Sequence, residues 1–312
     1  MKILVTGAGG FVGQYLVKEL IKRKHDVVAI GINNGAFLKA YDIPKYEVNI
    51  LDFEAVNECL QKEQPDGVIH LAAQSNVHAS WERSKLTVDV NVTGTIHMFK
   101  AVAEVCPEAK FLNIGSSDEY GLTAKQGIPL TEDMPCLPQN PYSISKLCAE
   151  QMILQFGKKY GVNVVQARPF NHFGPGQQKG FVISDFASQI AMIEKGGVEP
   201  IIYVGDLGAA RDFTFVEDIV MAYVLLIESK KTQGVYNICS GKSRKIRDIL
   251  DKLVSMSNVK IDVVCDESKV RPIDVPFFVG CADRLKADTK WQIECDFAEK
   301  LETTLNWWRG ID

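Results

Sequence analysis

The chain contains 312 residues, 46% of them hydrophobic and 24% charged, a composition that excludes disordered and fibrous proteins. Its formal net charge of -4 leaves no basic field with which to hold DNA or RNA, so we expect no nucleic-acid partner. No apolar run approaches the roughly 20 residues of a membrane-spanning helix, and no apolar leader with a cleavage site opens the sequence. We therefore expect a cytoplasmic protein without a membrane partner.

Apolar, β-branched runs alternate with segments of helical period along the first half of the chain. This alternation predicts an α/β fold with a doubly wound parallel sheet, the Rossmann arrangement. Asp52 and Thr93 are expected helix caps, and Pro65 and Pro107 are expected helix stops. The predicted strands cover 3–6, 27–30, 68–71, 111–114 and 162–166, and the predicted helices cover 12–24, 53–64, 94–105 and 142–160.

A glycine-rich turn, Gly7-Ala-Gly-Gly-Phe-Val-Gly13, lies between the first predicted strand and the first predicted helix. Gly7, Gly10 and Gly13 can form a tight turn, expose backbone N–H groups and allow close packing around a pyrophosphate. The alternative is a turn without a ligand, but the strand before it and the helix after it favour a dinucleotide.

The position that distinguishes NADH from NADPH follows the second predicted strand. Folds that prefer NAD place a carboxylate there, about 20 residues after the loop, to hold the ribose 2′-OH. This sequence has Asn33 instead, whose amide can hydrogen-bond either form. The choice between NADPH and NADH therefore stays open.

Glycine and proline become frequent after Arg168, where the regular alternation stops. A further strand is predicted over 235–239 and an amphipathic helix over 246–256. We therefore expect a Rossmann domain over 1–167, with a segment near 212–239 returning to its sheet. A smaller, loop-rich C-terminal substrate domain is expected over 168–211 and 240–312.

Eight cysteines occur without C-x-x-C pairs and without histidines at metal-ligand spacing. This distribution favours neither a zinc site nor a disulfide framework. We expect reduced, mostly buried thiols and no bound metal.

Tyr142 and Lys146 lie four residues apart in a predicted helix, which places both on one helix face. A lysine charge beside a phenol lowers the tyrosine pKa from about 10, and such a tyrosine can carry the proton that accompanies hydride transfer. Ser116 and Ser117 follow a strand, at the sheet edge where parallel sheets bind ligands, and can bond the same substrate oxygen. The alternatives are a solvated helix face and a turn whose hydroxyls cap backbone groups.

Several segments, in the order of the chain, resemble the extended short-chain dehydrogenase/reductase superfamily. They are the glycine loop, His70-Leu-Ala-Ala-Gln74, Ser116-Ser-Asp-Glu-Tyr-Gly121, Tyr142-x-x-x-Lys146 and Arg168-Pro-Phe-Asn171. The resemblance implies that Tyr142 is the acid/base, that Lys146 adjusts its pKa, and that Ser116 is the hydroxyl partner, with Ser117 as the alternative. It also implies an NADPH or NADH site formed by Gly7, Gly10, Phe11, Val12, Gly13, Asn33, Ile50, Leu71, Ala72, Ala73, Tyr142, Lys146 and Phe170.

Segments 171–176, 205–213 and 270–275 resemble those with which nucleotide-sugar members of the superfamily hold their substrate. Arg211 and Arg271 carry planar, permanently charged groups suited to a pyrophosphate, and Asn171 can donate to it. The alternative is that both arginines pair with aspartates near them in the sequence. The resemblance implies a nucleotide-sugar partner bound by Ser75, Asn171, Arg211 and Arg271.

Within the superfamily, the Gly-Ser-Ser-x-Glu-Tyr-Gly, Phe-Asn-His-x-Gly-Pro-Gly-Gln and Arg-Pro-x-Asp-Val-Pro patterns resemble those of GDP-6-deoxy-4-keto-D-mannose reductases. This implies reduction of the C4 ketone, giving GDP-D-rhamnose. It also implies a homodimer, because helices like those over 94–105 and 142–160 pair across a two-fold axis in this superfamily.

Three other functions are weighed against reduction. A nucleotide-sugar 4,6-dehydratase would carry a glutamate two residues after the catalytic hydroxyl, where this chain has Asp118, one methylene shorter. A C4-epimerase ranks third. A non-catalytic NAD(P) sensor is least favoured, because Ser116, Tyr142 and Lys146 are all present.

Overall fold

The computed structural model of the protein describes residues 1–33, 35–267 and 275–311. Its strands are β1 Lys2–Thr6, β2 Asp26–Gly31, β3 Lys45–Glu47, β4 Gly67–His70, β5 Lys110–Ile114, β6 Val164–Pro169, β7 Asn171–Phe173, β8 Ile201–Val204, β9 Ala210–Phe215, β10 Gly234–Ile238, β11 Ser243–Lys245, β12 Asp262–Cys265 and β13 Phe277–Phe278. Its α-helices are α1 Phe11–Lys22, α2 Gly35–Leu38, α3 Phe53–Glu63, α4 Val77–Glu82, α5 Ser84–Val88, α6 Gly94–Val105, α7 Pro141–Tyr160, α8 Val182–Glu194, α9 Val216–Glu228, α10 Ile246–Ser255, α11 Asp283–Thr289 and α12 Phe297–Arg309.

Seven strands form one parallel sheet in the order β10-β6-β5-β4-β1-β2-β3. β1 lies near its centre, where Leu4 aligns with Val28 of β2 and with Val68 of β4. These strands are buried along most of their length, which explains why they appear in the sequence as continuous apolar runs rather than as an alternation. The predicted doubly wound parallel sheet is confirmed.

Successive residues of the central strands enter two separate cores, because side chains alternate between the faces of a sheet. Ile3 and Val5 belong to one core, which also contains residues of α1 and α9. Leu4 belongs to the other core, which contains residues of α3, α6 and α7. The helices therefore cover both faces of the sheet.

Past β6 the chain builds two smaller sheets. In one, β9 pairs with β7, β11 and β13, and in the other β8 pairs with β12. The chain returns to the large sheet at β10, where Tyr236 aligns with Ala167 of β6. The domain boundaries at 167, 211 and 239 stay predictions.

Most element ends fall within a few residues of the predicted positions, and one predicted cap is wrong. Asp52 caps α3 by accepting a hydrogen bond from the Ala55 backbone N–H at 3.1 Å. Thr93 makes no side-chain cap, because the helical backbone already begins upstream, in a π-helical turn over Asp89–Thr93. Thr93 has φ -64° and ψ -44°, a helical conformation and not the extended one that a capping side chain requires.

The expectation for the cysteines holds only in part. All eight are free, but only Cys59, Cys106 and Cys239 are buried, whereas Cys148 and Cys265 are exposed. The two cores are filled mainly by aliphatic and aromatic side chains, and only three of the eight cysteines contribute buried side chains to them.

Candidate active site

The glycine loop joins β1 to α1 at the carboxyl edge of the large sheet. Gly7 has φ +67°, and its N–H donates to the carbonyl of Ile30 at 2.8 Å. A Cβ on Gly13 would lie 2.4 Å from the carbonyl oxygen of Gly7 and 2.5 Å from that of Ala8. Such a close approach admits glycine alone and leaves the loop tight against the start of α1, a geometry that fits a dinucleotide pyrophosphate.

The segment Leu71–Ala73 lies beside this loop, as the predicted cofactor site requires. A Cβ on Gly7 would lie 3.0 Å from the backbone nitrogen of Ala72. The Thr6 hydroxyl accepts from that same N–H at 3.0 Å and bonds His70 Nδ1 at 2.9 Å. Burial, then the charge of Lys146, lowers the pKa of His70 to about 3, so this histidine is a neutral link between the two strand ends.

The other predicted cofactor residues differ in how far they are exposed. Phe11 and Val12 are the first residues of α1 and are half-buried. Asn33 is exposed after β2, where its side-chain oxygen accepts from the Gly35 N–H at 2.9 Å. Ile50 is buried, and its side chain occupies the space beside Gly94 of α6. Phe170 is buried, with its ring centroid 5.7 Å from that of Phe278.

Ser116 follows β5 in an extended conformation, with φ -157° and ψ 145°. It caps the 3₁₀ turn Ser117–Tyr120, and its Oγ accepts from the Asp118 N–H at 3.1 Å. This bond occupies one acceptor position of the hydroxyl and leaves its hydrogen for another partner. The Ser116 hydroxyl is close enough to Tyr142 to act on its pKa, so the two predicted groups lie together at this edge. Ser117 is buried as the first residue of the turn.

Tyr142 and Lys146 lie near the start of α7, which Asn140 caps by accepting from the Ser143 N–H at 2.8 Å. The Tyr142 N–H donates to the Ser80 hydroxyl at 3.2 Å. Lys146 Nζ donates to the carbonyl of Ile114 at 2.7 Å and so reaches the end of β5. Both side chains are buried, which rules out the solvated helix face that the sequence allowed.

The expected effect of Lys146 on the phenol is not found. Burial, followed by the charge of Asp118, raises the pKa of Tyr142, and the hydrogen bond with Ser116 opposes this rise. Burial also lowers the pKa of Lys146 to about 8, with Glu119 opposing. Burial is the main influence on the Tyr142 pKa and Lys146 is not among its causes, so the phenol stays protonated at neutral pH.

The predicted substrate residues lie around the same edge. Arg211 of β9 is half-buried, and Asp118 is its electrostatic partner. Asn171 is exposed at the start of β7, and its amide donates to the Asp212 carbonyl at 3.4 Å. Ser75 is exposed after β4. Arg271 lies outside the described residues.

The alternative that Arg211 pairs with a neighbouring aspartate does not hold. The carboxylate of Asp212 accepts from the backbone of Ser240 at 2.8 Å and of Gly241 at 2.9 Å. The carboxylate of Asp206 accepts from the Gly208 N–H at 2.7 Å. Both aspartates therefore accept hydrogen bonds from backbone N–H groups of loops. Arg211 is in no ion pair within the part of the chain that the structure describes.

Sequence reasoning missed Asn91, which ties three parts of the site together. Its side chain accepts from the Gln74 N–H at 2.8 Å and donates to the Gln74 carbonyl at 3.0 Å. It also donates to the hydroxyl of Ser145, beside Lys146, at 2.9 Å. Asn91 lies within the π-helical turn before α6, and such turns are frequent at functional sites.

A buried charged cluster behind Ser116 was also missed. Glu119 and Glu150 are fully buried, and Arg168 is 3% exposed. Arg168 Nε lies 3.2 Å from Glu119 Oε2 and 2.9 Å from Glu150 Oε2. The Ser-x-x-Glu spacing of Ser116 and Glu119 is a capping-box signature, so this part of the cluster was visible in the sequence.

The described residues contain neither a metal-binding group nor a membrane-spanning helix. Across residues 1–33, 35–267 and 275–311, acidic, histidine and cysteine side chains form no group of three or more that could hold a metal ion. No helix in these same ranges has the length and apolar character that crossing a bilayer would need.

Comparison with known proteins adds to this geometry. A family model described as GDP-mannose 4,6 dehydratase matches residues 4–304. GDP-6-deoxy-D-mannose reductase of Pseudomonas aeruginosa is 34% identical over 309 residues, covering 99% of this chain and 97% of that protein. dTDP-glucose 4,6-dehydratase of Haemophilus influenzae is 29% identical over 336 residues, covering 99% and 98%.

Solved structures agree in fold over the full length. RMD from Pseudomonas aeruginosa, complexed with NADPH, has a TM-score of 0.88 at 33% identity and covers 99% of this chain and 98% of its own. UDP-glucose 4-epimerase of Thermus thermophilus, in complex with NAD, has a TM-score of 0.89 at 27% identity and covers 100% of both chains.

The sheet, the glycine loop and these matches define an NAD(P)-dependent oxidoreductase with the extended short-chain dehydrogenase/reductase architecture. The chain belongs to the GDP-mannose 4,6-dehydratase family.

Proposed function

We propose that the protein reduces the C4 ketone of GDP-6-deoxy-4-keto-D-mannose to give GDP-D-rhamnose. The observation that carries this proposal is the placement of three buried residues at the end of β5: Ser116 follows the strand, and Tyr142 and Lys146 lie on α7, with Lys146 bonded to the same strand. The similarity to a GDP-6-deoxy-D-mannose reductase over nearly the whole chain supports the choice of substrate.

The glycine loop and Leu71–Ala73 would hold the dinucleotide, which supplies a hydride when bound. Tyr142 holds its proton in the folded protein because burial raises its pKa, so it is suited to protonate the forming alkoxide oxygen. The Ser116 hydrogen orients that oxygen. Lys146, when charged, stabilises negative charge developing beside it.

Arg211 is the residue we assign to the substrate diphosphate. It is half-buried, and the opposing charge of Asp118 acts on it. A guanidinium in this setting can bond a diphosphate in a bidentate manner. Asn171, Ser75 and Arg271, which lies outside the described residues, complete the proposed substrate site.

Reduction is favoured over 4,6-elimination by Asp118. Burial raises the pKa of Asp118, and the charge of Arg211, which we assign to the diphosphate, opposes this rise. Elimination needs a base that reaches C5 and C6, and a side chain one methylene shorter is poorly placed for this.

We propose NADPH as the preferred cofactor. Asn33 presents an amide after β2 where NAD-preferring folds have a carboxylate, so nothing at this residue repels a 2′-phosphate. The relative RMD was solved with NADPH. The expected result is a higher kcat/KM with NADPH than with NADH.

We also propose a homodimer formed by α6 and α7. Ile144 on α7 is 53% exposed, and Leu86 and Val88 of the neighbouring α5 are 43% and 46% exposed. Light scattering coupled to size-exclusion chromatography tests this, and a monomer mass would contradict it.

The test of function mixes the protein with GDP-6-deoxy-4-keto-D-mannose and NADPH, follows loss of the reduced cofactor, and identifies the sugar by NMR. Stoichiometric oxidation with GDP-D-rhamnose as product is the expected outcome. Tyr142→Phe should lower kcat by roughly 10²–10⁴-fold while NADPH still binds. Conversion of GDP-mannose to the ketone, without net cofactor oxidation, would reassign the protein as a dehydratase.

A further inference from the structure

Two buried carboxyl groups share one guanidinium directly behind the proposed catalytic serine. Glu119 and Glu150 are fully buried, and Arg168 bonds both. The face of the Tyr120 ring lies 4.9 Å from the Arg168 guanidinium carbon and closes that side. If both carboxyl groups were ionised, the three side chains would carry a net negative charge in the protein interior.

An unbalanced buried charge is costly, and a shared proton removes it. Glu119 and Glu150 both accept from the same Arg168 Nε, at 3.2 and 2.9 Å, so one cation faces two buried carboxyl groups and a proton on one of them would balance the charge. Burial, then the charge of Glu150, raises the pKa of Glu119 well above its usual range. The titratable and charged groups that act on this pair, or on which it acts, are Cys136, Tyr142, Lys146 and Arg168, and Tyr120 acts on Arg168.

The Glu119 side chain also bonds the backbone of the proposed catalytic serine, Ser116. Its Oε1 accepts from the Ser116 N–H at 2.7 Å. A Cβ on Gly115 would lie 2.4 Å from this oxygen and 2.1 Å from Gln166 Nε2, so only glycine lets Glu119 pass beneath the chain. Lys146 fixes the adjoining carbonyl of Ile114. The three residues before the 3₁₀ turn are therefore held from two sides.

We propose that Glu119 is a positioning residue for the reduction: it fixes Ser116 through the backbone N–H and shares one proton with Glu150, leaving no net charge behind Ser116 and Tyr142. Glu119 touches neither substrate nor cofactor in this assignment. The inference rests on the proposed function for its kinetic readout only.

Glu119→Gln and Glu119→Leu separate the two parts of this role. Glutamine is neutral, keeps an acceptor for the Ser116 N–H and offers a donor to Glu150, so kcat should stay within about threefold of the wild type with an unchanged pH profile. Leucine leaves the Ser116 N–H without a partner, so kcat should fall about 10-fold to 100-fold with KM unchanged. A kcat for Glu119→Gln as low as that for Glu119→Leu would overturn the proposal.

Infrared spectroscopy tests the shared proton without any turnover. The wild-type protein at neutral pH should show the C=O stretch of a protonated carboxyl group that Glu119→Gln removes. The matched control is Glu63→Gln, because Glu63 is also buried, but there the opposing hydrogen bonds from Tyr46 and Lys2 leave its pKa lowered. This control should leave both the band and kcat unchanged.

The two readouts distinguish the possible failures. A wild-type protein that shows the band but does not reduce the ketone would refute the proposed function and leave the shared proton standing. Full reductase activity, with no band that depends on Glu119, would refute the shared proton. If Glu119→Leu does not fold, Glu119→Gln still decides the matter through its pH profile and its spectrum.

Discussion

Phe11 stacks on His172, with ring centroids 6.1 Å apart and ring planes 5° from parallel. Phe11 lies within the glycine loop segment and is the first residue of α1, and His172 follows Asn171 in β7. One turn along α1, the Tyr15 hydroxyl donates to the Pro175 carbonyl at 2.8 Å. The proposed cofactor loop and the proposed substrate segment therefore contact each other directly.

This stack should couple the stabilities of the two segments. Stacked ring pairs contribute about 0.5–1.5 kcal/mol beyond their buried area. Phe11→Leu and His172→Leu together should thus cost about 1 kcal/mol less than the sum of the single changes, as measured by urea unfolding. A cycle between Phe11→Leu and Phe156→Leu, in the other core, is the control and should be additive. Additivity in both cycles would contradict the coupling.

Gly13→Ala should abolish tight cofactor binding. The new Cβ would meet the carbonyl oxygens of Gly7 and Ala8 at 2.4 and 2.5 Å, so α1 must shift away from the loop. We expect a loss of NADPH affinity of tenfold or more, about 1.4 kcal/mol, together with a lower Tm. Fluorescence titration and thermal unfolding measure both. The matched control is Gly197→Ala, whose Cβ has its nearest neighbour at 3.8 Å. Unchanged affinity for Gly13→Ala would show that the loop tolerates a side chain.

The pH dependence of reduction should follow Lys146. Burial lowers the pKa of Lys146 to about 8, so the ammonium is present below that pH and is lost as the pH rises through it. Tyr142 keeps its proton over this range because its pKa is raised. We therefore expect kcat/KM to be level below about pH 7 and to fall above about pH 8.

Lys146→Arg provides the check on this profile. A guanidinium stays charged at every accessible pH, so whatever activity the variant keeps should lose the decline near pH 8. A kcat/KM that rises between pH 7 and pH 9 in the wild type would contradict the assignment of the charged form to catalysis.

The large sheet was predictable because its strands are buried on both faces and therefore stand out as apolar runs. The glycine loop was predictable because its function depends on adjacent residues. The strands β7 and β9 were not, because they are short or polar and owe their pairing to residues about 40 positions away, as with Asn171 and Phe213. The helix α9 was missed because it is apolar on nearly all sides.

Within the candidate site, the spacing of residues in the sequence indicated which side chains lie together. It did not indicate how deeply they are buried. Tyr142 and Lys146 are in the predicted helix, yet the depth of burial that reverses the expected shift of the phenol pKa depends on the whole fold. Asn91 was missed because its partners, Gln74 and Ser145, are distant in sequence. Glu119 carried a local signature, but its pairing with Glu150 depends on α7 packing beside β6.

The place of β10 in the sheet has a consequence during synthesis. β6 ends at Pro169, but the strand that covers its outer edge is not complete until Ile238. At about 5–20 residues per second, a ribosome needs roughly 3 to 14 s to add the intervening chain. Through that interval the outer edge of β6 is uncovered, beside the unfinished active site. Strands of other chains can add to such an uncovered edge. The order of the strands thus makes the growing chain most vulnerable to aggregation when a little more than half of it has been made.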